Sequence, residues 1–286
     1  MQIFAEQVVN ALQMGALLFL VASGLSLIFG LMHVVNLAHG VFYMVGGYLA
    51  LTLAGRLGHF YWALLVVPVL TGALGVLVER TLLSRTYGRG MYPQVLLTLG
   101  LVFACDELVR IIWGPQIQTL APPVELQGSI VVAGVAIPLY RLLVVAVGVV
   151  VVAALVTLFG RSKLGAMVRA SVDDREMASA LGIDVRLLFT GVFAAGSALA
   201  GLAGVLSLPL FNAFPGMGSE ILISALVVVV VGGMGSLPGA LIASLIIGGA
   251  TVVGQVYAPA FSTGFIYLVL VLVLLVRPQG LMGIAR

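Results

Sequence analysis

Gly24-Leu-Ser-Leu-Ile-Phe-Gly-Leu-Met-His-Val-Val-Asn-Leu-Ala-His-Gly-Val-Phe-Tyr-Met44 joins two apolar runs through a short break that carries Asn36, His39 and Gly40. The run before the break is apolar back to about residue 8, and the run after it continues to about residue 55, so each can cross a bilayer. The break between Gly30 and Gly40 is too short and too apolar for an ordinary solvent loop. Non-helical backbone at membrane depth is tolerated only where protein or a water-filled cavity satisfies its polar groups.

The composition agrees with that reading throughout the chain. Of 286 residues, 62% are hydrophobic and 8% charged, whereas a soluble domain carries about a quarter charged residues. The chain therefore sits in lipid. One cysteine, Cys105, excludes an intrachain disulfide, and His33, His39 and His59 form no cluster with metal-ligand spacing. The thirteen Lys and Arg against ten Asp and Glu, a net +3, lie mostly in membrane-flanking joints. There they set orientation rather than bind nucleic acid. The N-terminal stretch Met1–Gln13 lacks the basic start of a cleavable signal, so the first helix is expected to direct insertion.

Apolar runs delimited by charge, Pro and Gly predict helices at 8–31, 37–55, 61–82, 93–113, 138–160, 187–207, 219–233, 238–257 and 262–276. The joints after Glu79 (Arg80, Arg85, Arg89) and after Gly160 (Arg161, Lys163, Arg169, Arg175, Arg186) are basic, as is the C-terminus (Arg277, Arg286). The joints 114–138 and 209–220 hold no Lys or Arg. The positive-inside rule then places the basic joints in the cytoplasm and the other two outside, with Arg56 alone violating it. The expected fold is an all-α polytopic membrane protein of about eight or nine transmembrane helices, N-terminus outside and C-terminus cytoplasmic. It is a single transmembrane domain over residues 1–286 with two glycine-broken hairpins.

The second glycine break is Gly232-Gly-Met-Gly-Ser-Leu-Pro-Gly239. Broken hydrophobic segments at matching places in the two halves of a chain point to a transport pathway, while small residues also serve close helix packing. The path candidates are Asn36, His39, Gly40, Gly232, Gly233, Gly235 and Ser236, and both readings stand for each segment. In the fourth predicted span, Asp106 and Glu107 are spaced to pair with Arg110 at i,i+4 and i,i+3. A proton-carrier role for these acids is the rival reading. Tyr92, Trp113, Tyr140, Tyr257 and Tyr267 fall near span ends, where aromatic residues anchor at the interface.

The one sizeable cytoplasmic segment, residues 161–186, reads RSKLGAMVRASVDDREMASALGIDVR. Asp173 and Asp174 can cap a short helix that Gly182 ends. That helix sets Met177 and Leu181 on one apolar face at i and i+4. Such a face suits docking into a partner's groove or lying on lipid headgroups.

The run from Gly24 to Met44 resembles the signature of the branched-chain amino acid ABC importer permeases, most closely the shorter of that system's two membrane subunits. Leu96–Gly114, Arg169–Gly182 with Ala194–Val205, and Val227–Ala240 with its GGMGSLPGA agree in order. The resemblance implies a bacterial inner-membrane subunit with no catalysis of its own. It implies no bound cofactor, since ATP and Mg would sit on two partner ATPases. A second permease subunit and a periplasmic binding protein would complete the system. Glu176-Met177-Ala178 followed by Gly182 resembles the EAA loop by which importer permeases engage ATPases, although Met177 replaces the usual second alanine. The resemblance thus assigns ATPase coupling to Asp173, Arg175, Glu176, Met177, Ala178, Leu181 and Gly182. Ser224-Ala225-Leu226 stands where family members tend to have Lys-Ala-Phe, a departure that bears on the exact substrate, and urea or short amides are an alternative cargo because their permeases share this architecture. A passive small-solute channel is the alternative from another class. Neither a Walker A loop nor a nucleophile with its base is present, so the chain is expected not to be an enzyme.

Overall fold

A computed structural model of the chain describes residues 2–32, 34, 36–57, 60–132 and 134–283. His33, Val35, His59 and Arg286, which the sequence reading named, lie outside the described residues. The helices are α1 (Gln2–Met32), α2 (His39–Leu57), α3 (Phe60–Thr81), α4 (Met91–Trp113), α5 (Leu139–Arg161), α6 (Lys163–Asp173), α7 (Arg175–Ala180), α8 (Val185–Ser207), α9 (Met217–Gly232), α10 (Leu237–Tyr257) and α11 (Ser262–Val276).

Six helical stretches among the described residues are long and apolar enough to cross a membrane: 4–32, 60–86, 139–161, 185–207, 237–257 and 259–276. Segments α2 and α4 occupy the other long runs the sequence marked, but α4 carries Asp106, Glu107 and Arg110, which dilute its apolar character. The shorter α9 has 16 residues, about 24 Å of helix, less than the thickness of a bilayer core.

Two elements differ from expectation. The joint 114–138 is not featureless: Ser129–Val132 (β1) and Val135–Pro138 (β2) pair antiparallel as a small hairpin. The segment 161–186 holds two helices, because Ser162 caps an additional one, α6, by accepting a bond from the Gly165 amide at 3.1 Å.

The core is built on α8, which packs against α1, α2 and α3, while α1 also runs along α10. Without a hydrophobic drive between helices in lipid, such packing depends on close backbone approach. Gly24 meets Gly196, Gly46 meets Gly201 and Gly15 meets Gly248. Outside this cluster, α4, α5 and α11 turn large apolar side chains outward, among them Leu96, Phe103, Val150 and Leu275. Tyr92 and Tyr257 are exposed at helix ends as interfacial anchors would be. Tyr140 instead is buried and donates to the Leu206 carbonyl at 2.9 Å. Trp113 likewise turns inward to Thr52 at 2.8 Å.

Candidate translocation cavity and cytoplasmic docking segment

The first break returns the chain into the protein. The imidazole Nε2 of His39 lies 3.0 Å from the Val21 carbonyl, eleven residues before the end of α1, a climb of about 17 Å. Seven steps of extended chain cover up to about 25 Å, so α2 begins deep inside rather than at the surface. Asn36 directs this entry, its Oδ1 accepting the Ala38 amide at 3.1 Å.

A second helix begins at the same depth. The first turn of α9 lies on the first turn of α2, so closely that a Cβ on Gly40 would stand 1.9 Å from the Gly218 carbonyl oxygen. Only glycine permits that contact. Gly216, with φ +99°, turns the chain into α9, with the Asp106 carboxylate and Arg110 close by. Two helix N-termini, each carrying partial positive charge, therefore converge in the interior.

Beside this junction lies a cavity of about 500 Å³. Leu17, Leu210, Phe214, Met217 and Ile221 contribute apolar walls, and Tyr43, Asn212, Glu220 and Ser224 contribute polar groups. The Tyr43 hydroxyl lies near Ser207 and within electrostatic reach of Glu220. A smaller recess of about 150 Å³ shares Met14, Leu210 and Phe211 with the cavity and is lined by Gln7, Asn10, Gln13, Arg141 and Gln255. The guanidinium of Arg141 donates to Asn10 there.

The sequence-derived path residues take other positions. Asn36 and His39 are buried at the foot of α2. Among the described residues, Asn36 Nδ2, His39 Nδ1 and Ser26 Oγ have no hydrogen-bond partner. Gly235 packs on Gly30, which brings the two glycine segments together. Gly232 packs on Gly239, and Gly233, at φ +100°, packs on Gly283. Ser236 caps α10 by accepting the Gly239 amide at 3.1 Å. Of these seven, Gly40 alone joins the α2–α9 junction, and none lines the cavity.

At the other end of the molecule, Asp174 caps α7 through a 2.9 Å bond from the Met177 amide, and Asp173 closes α6. Gly182, at φ +87°, ends α7. Its amide donates to Ser179 and that of Ile183 donates to Ala178, the two bonds of a Schellman motif. Ala178 is buried beneath the helix, whereas Arg175, Glu176, Met177 and Leu181 are exposed. The Arg175 guanidinium sits 4.7 Å from the Phe189 ring centroid on α8.

Sequence reasoning missed the knot beneath this helix. Glu79, read as a boundary residue, is 1% exposed. Its two carboxylate oxygens accept bonds from Tyr87 and Thr190, each at 2.8 Å. Burial, with Glu79 adding to it, holds the Tyr87 phenol well above its usual range, so it remains a donor. Tyr87 also stands edge-on to Phe189 at 5.9 Å. Arg175, Phe189, Tyr87, Glu79 and Thr190 thus form a continuous chain of contacts from α7 into α3 and α8.

The profile described as branched-chain amino acid transport system, permease component, matches residues 7–274. The chain belongs to this permease family. It is 30% identical to the high-affinity branched-chain amino acid transport system permease protein BraD of Pseudomonas aeruginosa, covering 98% of this chain and 96% of that one. It is 27% identical to the LivH permease of Escherichia coli, with 98% and 96% covered. A probable LivH of Methanocaldococcus jannaschii is 31% identical, with 94% and 89% covered. Among solved structures, PsaBC from Streptococcus pneumoniae in complex with Fab superposes with a TM-score of 0.50 at 15% identity, covering 93% of this chain and 89% of that one. That likeness concerns the fold alone.

Proposed function

We propose that this chain is the permease subunit of an ATP-driven importer of branched-chain amino acids, with the cavity beside the α2–α9 junction as its half of the path. Family membership over nearly the whole chain carries the reading, and a largely apolar cavity with a few polar groups suits aliphatic cargo. In the proposed topology the N-terminus is outside, the C-terminus is cytoplasmic, and α2 and α4 join the six apolar stretches as further crossings. The host membrane is the bacterial inner membrane. Asn36 and His39, with buried polar atoms unmatched by protein partners, would face the path when it opens inward. The packed glycines Gly232, Gly233 and Gly235 with Ser236 would form the seam along which it opens.

The proposed partners are a second permease subunit, two cytoplasmic ATPases that hold the ATP and Mg, and an extracytoplasmic binding protein. Helix α7 supplies the docking face, with Met177 and Leu181 exposed on it. A push on α7 would reach α3 and α8 through Arg175, Phe189 and Glu79, and two-state packing would convert it into alternating access. The test is transport by the assembled complex with Glu176→Ala or Gly182→Val. Both variants should reach the membrane yet lose most leucine-stimulated ATP hydrolysis. Wild-type transport in both would refute the docking role, and ATP-independent flux through the purified chain alone would refute the importer.

A further inference from the structure

The cavity contains one ionisable group whose placement the fold does not explain. Glu220 sits in the fourth residue of α9, one position past the place from which an acidic side chain reaches back to close a capping box. Among the described residues its carboxylate has no hydrogen-bond or ion-pair partner, and the residue is exposed to the cavity. Among the described residues, no Lys, Arg or His lines that cavity. The α9 dipole offsets part of the cost of an anion at this depth, but a carboxylate inside a membrane protein is ordinarily paired. A cargo ammonium entering the cavity can supply the missing cation.

Resting on the functional reading above, we propose that Glu220 receives the α-ammonium group of the transported amino acid, a site within the permease itself. The aliphatic side chain lies against Leu17, Leu210, Phe214 and Met217. Tyr43, which lies in the field of Glu220, bounds the polar end of the site. A carboxylate at this place favours a cationic amine over a neutral amide.

The experiment uses the complete transporter in proteoliposomes with its binding protein, comparing wild type, Glu220→Gln and Glu220→Asp. Removing one member of a desolvated charge pair should lower leucine uptake kcat/KM about 30-fold or more in E220Q. E220D, which keeps the charge, should stay within about fivefold of wild type. Assembly with the partner subunits and the melting temperature of the purified complex should match wild type in both. Uptake by E220Q within about twofold of wild type overturns the proposal, as does an equal loss of uptake in E220D. If wild type carries none of the three branched-chain amino acids but the complex hydrolyses ATP, the cargo reading fails instead.

Discussion

Two glutamates divide the molecule by function. Glu79, at the foot of α3, is 1% exposed and each of its oxygens takes a hydroxyl donor at 2.8 Å. Glu220, in the first turn of α9, faces a 500 Å³ cavity with no partner among the described residues. The same carboxylate is saturated where it fastens helices together and left open where a ligand can complete it. Burial with full hydrogen bonding marks a structural anchor, and exposure inside a membrane-depth cavity marks a site.

This contrast can be broken most severely at Glu220, where E220Q should abolish most uptake while leaving assembly intact. The next effect belongs to the saturated acid. Glu79→Ala leaves the Tyr87 and Thr190 hydroxyls without their acceptor in a buried region. It should cost about 2–4 kcal/mol, seen as a lower melting temperature of the detergent-purified chain, whereas Glu220→Ala should shift that temperature little. Thr190→Val removes one of the two donors and should cost about 1 kcal/mol, because Thr190 also bonds the Arg186 carbonyl and its removal leaves Glu79 with Tyr87. Smallest in stability is the double change Met177→Ser with Leu181→Ser. Both side chains are exposed, at 58% and 75%, so the melting temperature should hold, with a change within about 0.5 kcal/mol. Co-purification of the ATPase should nevertheless drop. Retained co-purification would remove α7 as the docking face.

The local features of this fold were legible in the sequence because their signals are local. Asp174 and Gly182 delimit α7 through bonds that span three to five residues, and apolar runs located the long helices to within about two positions, except that α1 begins at Gln2, six residues before the expected start. Helix α6 escaped because its charges interrupt the long apolar run that marks a span, although Leu164, Met167, Val168 and Val172 fall at the i, i+3, i+4 and i+8 spacing of an amphipathic helix and Ser162 caps it. Glu220 escaped for a different reason. The joint 209–220 lacks basic residues and therefore reads as an outer loop, yet the contact of Gly218 with Gly40 carries its end into the interior. That pairing links residues far apart in sequence, and nothing near either glycine reports it. Glu79 is similar, since its partner Thr190 lies 111 residues away.

The central claim, that the cavity beside the α2–α9 junction is an outward-facing station of the transport path, is tested most directly by accessibility. The chain has a single native cysteine, so Cys105→Ser with Asn212→Cys places one thiol on the cavity lining. In the assembled transporter, a membrane-impermeant thiol reagent added from the outside should modify this cysteine rapidly. Leucine-loaded binding protein should slow that modification, and ligand-free binding protein should slow it less. A cysteine that reacts only from the cytoplasmic side, or at a rate indifferent to leucine, would contradict the account.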